Sequence, residues 1–186
     1  SIILYLVPIF NFGLPFFPPF LKIHLDEIPA FIAGFAYGPL SGFFIILIKT
    51  IAKLPLTSTM CVGELADFLY SCAFVIPSCL FYKKMHNIKG ALLSLLLGIV
   101  IQTLFAALFT TFVMLDFYMA VMGMKEETIL GLCQSVNPNV TDIRWSFFFY
   151  IGIPFNALKD AMVVLPTMLL YKRLHGLIDR IGAQKN

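Results

Sequence analysis

From Gly90 to Leu115 no residue carries a formal charge, and aliphatic and aromatic side chains fill most of the run. A segment this apolar can satisfy its backbone inside a bilayer only as a helix, and about 20 residues suffice to cross. Similar runs recur along the chain. Of its 186 residues, 60% are hydrophobic and 12% charged, with a mean hydropathy of +0.91. A soluble domain has roughly half apolar and about a quarter charged residues. The chain therefore reads as an integral membrane protein. Its runs are continuous rather than alternating, which favours helices over a β-barrel.

The runs predict a single all-α domain over residues 1–186, a compact bundle of six transmembrane helices. Ser1 to Phe10 reads as the tail of a first span, and because the chain starts at Ser1 that span is expected to be trimmed. Glu27 to Tyr37 gives a short second helix, closed by a turn at Gly38 to Gly42. The third runs from Phe43 to Ile51, the fourth from Gly63 to Phe81 with a candidate kink at Pro77, and the fifth from Gly90 to about Met122. Gly123 to Arg144 reads as an outer loop, and Trp145 to Leu174 as the sixth helix. In the first loop, Pro15, Pro18 and Pro19 forbid a helix. That loop is too apolar for open water, so it is expected to fold back as a lid or to lie in the membrane interface.

Charge sets the orientation. Lys83, Lys84 and Lys89 share one loop, and Lys172, Arg173, Arg180 and Lys185 cluster near the C-terminus, whereas Asp26, Glu27, Glu126, Glu127 and Asp142 fall in other connections. The positive-inside rule places the basic set and both termini in the cytoplasm. A nucleic-acid partner would need a folded basic surface with aromatics around it, and none is apparent. Cys61, Cys72, Cys79 and Cys133 lack metal-ligand spacing and read as small apolar filler. His24, His86 and His175 fall in separate connections, so no metal set is expected. No phosphate-binding loop occurs, so ATP hydrolysis would have to come from other chains.

Within the last span stand Asn156, Lys159 and Asp160. A charge near the bilayer centre costs several kcal/mol, so such a stripe must face a cavity or a partner. Asn156 and Lys159, three apart, share one helix face, as do Glu64 and Asp67, and Lys49 and Lys53 at a spacing of four. At about 1.5 Å of rise per residue, Lys159 lies about 20 Å above Lys172, Asp67 about 24 Å above Lys83, and Lys53 about 21 Å above Pro39. Three helices thus place ionisable groups at one level in the outer half of a core about 30 Å thick. Each group has a plainer reading: helix caps for Glu64, Asp67 and Lys53, structural pairs for Lys49, Lys159 and Asp160, and self-bonded hydroxyls for Thr110 and Thr111. Taken together they point to a polar pocket open to the outside.

The run Ile28-Pro29-Ala30-Phe31, then Phe35-Ala36-Tyr37-Gly38-Pro39-Leu40-Ser41-Gly42 and Ile48-Lys49, resembles the substrate-binding S components of energy-coupling factor (ECF) vitamin transporters. Gly63-Glu64-Leu65-Ala66-Asp67-Phe68 and Pro154-Phe155-Asn156-Ala157-Leu158-Lys159 are most similar to the riboflavin-specific members, and the proline-rich loop from Leu14 to Leu25 also fits. The resemblance implies six helices, a flavin site near the outer face under the first loop, and docking onto a T component with two ATP-binding cassette ATPases. Riboflavin would be the transported substrate rather than a cofactor, and the chain would not be an enzyme. Small residues on the first helix for packing on the T component are not seen in Ser1 to Phe10. Asn156 and Lys159 are expected to bond the flavin ring edge or its tail, Glu64 and Asp67 to accept from its hydroxyls, and Phe16, Phe17 and Pro29 to close the lid. Lys49 lies in the shared motif and is a further candidate. Where the family has an Asn-Tyr pair late in the fifth helix, this chain has Thr110-Thr111, with Thr111 the candidate contact. The alternatives are an S component for thiamine, folate or pantothenate, and an intramembrane enzyme using Glu64 and Asp67 as acid and base.

Overall fold

The computed structural model describes residues 11–57 and 60–183, so the expected first span at Ser1 to Phe10 lies outside the described residues. The chain is mostly helical. Its helices are α1 (Ile28–Tyr37), α2 (Pro39–Lys53), α3 (Val62–Tyr82), α4 (Ile88–Phe109), α5 (Leu115–Ala120), α6 (Glu126–Gln134), α7 (Trp145–Phe147) and α8 (Ile153–Ala183). Two π-helical turns, Thr110–Met114 and Phe148–Gly152, join α4 to α5 and α7 to α8. Among the described residues, three stretches are long and apolar enough to cross a membrane: Val62–Tyr82, Ile88–Ala120 and Trp145–Gly176. Helix α1 is apolar but shorter, and α2 has 15 residues with Lys49 and Lys53 buried.

Three sequence expectations change. The turn expected at Gly38 to Gly42 contracts to Gly38 alone, whose φ of +100° reverses the chain in a region open to glycine. Pro39 then starts α2 directly, because a ring-fixed φ and a missing N–H suit the first helical position. The stretch read as an outer loop contains α6, with Glu126 and Glu127 in its first turn, where the helix dipole favours acidic side chains. The fold is also not purely α. Asn11–Gly13 (β1) and Lys22–His24 (β2) form an antiparallel hairpin pairing Asn11 with His24 and Phe12 with Ile23.

The main core lies between α1, α2, α3, α4 and α8, around Phe31, Ile46, Phe74, Leu95 and Val163. Close helix approach depends on Gly98 of α4. A β-carbon there would meet the Ser78 hydroxyl and come within 3.0 Å of the Phe74 carbonyl. At the end of the bundle nearer the basic loop, Phe35 packs on Tyr82 with centroids 4.4 Å apart, and the hydroxyls of Tyr82 and Tyr171 are bonded at 2.8 Å. At the other end a second apolar cluster holds Leu115, Ile129, Phe147 and Ile151, and Phe17, Phe20 and Leu21 of the first loop pack on it. The loop therefore folds back over the bundle, as its apolar content suggested.

Candidate functional site

Beneath the hairpin lies a cavity of about 250 Å³. Its walls come from the first loop (Phe20, Leu21, Lys22, His24), the end of α2 (Lys53), the start of α3 (Glu64, Asp67, Tyr70), the first π turn (Thr110, Met114) with Tyr118 of α5, and α8 (Phe155, Asn156, Lys159). Aromatic and aliphatic surface is thus mixed with a few fixed polar groups, the usual make-up of a small-molecule site.

One wall is a buried ionic network. Lys53 Nζ lies 2.6 Å from Asp26 and 2.8 Å from Asp67, and Lys49 Nζ lies 3.2 Å and 3.4 Å from the same two carboxylates. Lys49 also donates to the Ser71 hydroxyl at 3.0 Å, which donates to Glu27 at 3.3 Å. Glu27 lies 3.6 Å from Lys159 Nζ. Asp26 and Glu27 are 0% and 1% exposed. The network ties the foot of the first loop to α2, α3 and α8. Removing two such ions from water costs several kcal/mol each, which only close pairing offsets. Burial opposes the Asp26 charge, yet Lys49 and Lys53 hold its carboxyl below the usual range. Burial lifts Glu27 above its usual range, and Lys159 opposes that rise.

The candidate residues fall into two sets. Asn156, Lys159, Glu64 and Asp67 all line the cavity. Asn156 donates to the Gly152 carbonyl at 2.9 Å, and Glu64 accepts from the Thr57 hydroxyl at 2.7 Å. Phe17 stands one layer back, its ring edge-on to Phe155 at 5.2 Å. Lys49, Thr111, Pro29 and Phe16 are not in the lining. Lys49 is buried behind Asp67, the Thr111 hydroxyl donates to its own helix at the Ala107 carbonyl, and Phe16 is 71% exposed. Thr110 takes the place in the wall expected of Thr111, with its hydroxyl 2.9 Å from that of Tyr70.

Sequence reasoning missed Asp26, Glu27 and His24 as parts of the site. An acidic pair just before a helix reads as a cap or an outer-surface charge; nothing local marks it as buried. His24 is held down to about 4, first by desolvation, with Lys159 and Lys53 adding to the effect against Asp67 and Asp26. Its ordinary value is 6.5, so on acidification the unfolded chain takes up a proton that the folded chain refuses. Stability attributable to His24 is full above pH 6.5, falls between pH 6.5 and about 4, and levels off below that. Thermal unfolding at pH 7 and pH 4.5 is expected to show a smaller acid-induced drop for His24→Gln than for the wild type. Equal drops would remove His24 from the account.

A family described as "ECF transporter, substrate-specific component" matches residues 1–171. The chain belongs to this family. Among curated proteins, it is 28% identical to the riboflavin transporter RibU of Staphylococcus aureus (strain TCH60) over 97% of this chain and 89% of the relative. It is 27% identical to the riboflavin transporter FmnP of Bacillus subtilis (strain 168), over 97% of this chain and 90% of the relative. A solved structure reported as "Structure and mechanism of the S component of a bacterial ECF transporter" shares the fold, with a TM-score of 0.70 and 23% identity over 95% of this chain and 90% of that one.

Proposed function

We propose that this S component captures riboflavin at the outer face of a bacterial cell membrane and delivers it inward with a T component and two ATP-binding cassette ATPases. The observation that carries the reading is the cavity in which buried Asn156 and Lys159 stand beside Phe155, Tyr70 and Met114. Two relatives matched over nearly their full lengths are named riboflavin transporters, which supports the same ligand. An isoalloxazine offers a flat apolar body with donors and acceptors on one edge, and a ribityl tail offers hydroxyls. The Asn156 amide nitrogen is engaged by Gly152, so its oxygen is the atom that would accept from the ring N–H. Lys159 would donate to a ring carbonyl, and Glu64 and Asp67 would accept from the tail. The pairing of Asp67 with Lys49 and Lys53 argues against its use as the free acid or base of an intramembrane enzyme. Lys83, Lys84, Lys89, Lys172 and Arg173 are all exposed, which supports placing that end of the bundle in the cytoplasm.

Protein purified in detergent from cells with flavin available is expected to be yellow and to release riboflavin on denaturation. Mass spectrometry of the released molecule decides among vitamins. Recovery of thiamine, folate or pantothenate instead of a flavin would overturn the reading.

A further inference from the structure

Two π turns are rare in one small chain, and such turns concentrate at functional sites. Here they stand on neighbouring segments. In the first, the Leu115 amide bonds the Thr110 carbonyl, and in the second the Ile153 amide bonds that of Phe148. The segments approach closely, since a β-carbon on Gly152 would lie 3.3 Å from that of Ala107. Each turn presents a carbonyl that also accepts from a side chain. Gly152 accepts from Asn156, and Thr111 accepts from Arg144 Nη1 at 3.0 Å.

Arg144 immediately precedes α7, and its guanidinium reaches across to the first π turn. Besides the Thr111 carbonyl it grips both oxygens of Asp116, at 2.6 Å and 3.2 Å, and lies over the Phe112 ring at 5.8 Å. Residues 110 and 114 of that turn line the cavity, so the turn's rotation fixes where the Thr110 hydroxyl and the Met114 side chain point. The pair is partly exposed, at 37% and 48%, and such pairs contribute little to global stability. A planar fork held at three acceptors instead fixes geometry.

We propose that Arg144 is a positioning residue for ligand binding: through Asp116 and the Thr111 carbonyl it holds the first π turn so that Thr110 and Met114 complete the pocket wall. The proposal uses riboflavin as its probe and so rests on the reading above. In the ligand-free protein, which needs no probe, Arg144→Gln is expected to raise amide exchange across residues 110–116 at least tenfold. Its thermal midpoint should stay within about 2 °C of the wild type. Riboflavin dissociation is expected to speed up about tenfold in Arg144→Gln and in Asp116→Asn. Arg144→Lys, which keeps the charge but not the fork, should behave like Arg144→Gln. In a Thr110→Val background the Arg144→Gln effect on dissociation should shrink to under threefold, since both act through one wall. Unchanged exchange over residues 110–116 would overturn the proposal whether or not riboflavin binds. A wild type that fails to bind riboflavin, with exchange raised as expected, would overturn only the choice of vitamin.

Discussion

Replacing Asp26 with alanine is expected to destabilise the protein by about 3–5 kcal/mol, the cost of removing one partner from a buried ion pair. Asp26 is wholly buried and serves two lysines, Lys53 at 2.6 Å and Lys49 at 3.2 Å. Without it, both ammonium groups lose a carboxylate partner, and the foot of the first loop loses its direct ion pairs to α2. At about 2–4 °C per kcal/mol for a chain of this size, the thermal midpoint should fall by about 6–20 °C. Asp26→Asn should fall nearly as far, since its shape is kept and its charge is not. A midpoint within about 2 °C of the wild type for both variants would mean that the lysines do not depend on this carboxylate.

The second large effect is on binding. Lys159→Ala is expected to weaken riboflavin affinity by about 10- to 100-fold, corresponding to the roughly 1.5–3 kcal/mol of a hydrogen bond from a charged donor. Its ammonium sits 3.6 Å from Glu27, beyond hydrogen-bond distance, so its donors are not saturated by that contact. Asn156→Ala should weaken affinity by about tenfold through one neutral bond. Titration by quenching of flavin fluorescence measures both. Affinities within a factor of two of the wild type for both variants would remove these residues from the site.

Part of the geometry of this candidate site was legible in the sequence. Spacings of three and four placed Asn156 with Lys159 and Glu64 with Asp67, and helical rise put them at one depth; all four line one cavity. Position 111 came from the family pairing rather than from spacing. The resemblance fixes which segment faces the cavity but not which of two adjacent hydroxyls does, and it is Thr110 that lines the wall while Thr111 bonds back to the Ala107 carbonyl. Lys49 failed differently. Its distance along the helix was sound, but proximity in depth does not distinguish a wall from what stands behind it. Asp26 was out of reach because the loop's apolar content predicts that it folds back but not which charged residue at its foot is buried with it. The hairpin was likewise hidden, since strands of three residues are too short to show alternation.

The bonded tyrosine hydroxyls at the far end of the bundle bear on how cargo can leave. Tyr82 and Tyr171 are each at most 2% exposed, and Phe35 packs against both rings, tilted on Tyr82 and edge-on to Tyr171. Among the described residues, the end of the bundle below the cavity is therefore a stopper of aromatic rings. A molecule seated in the cavity would have to unseat those rings to leave by that end.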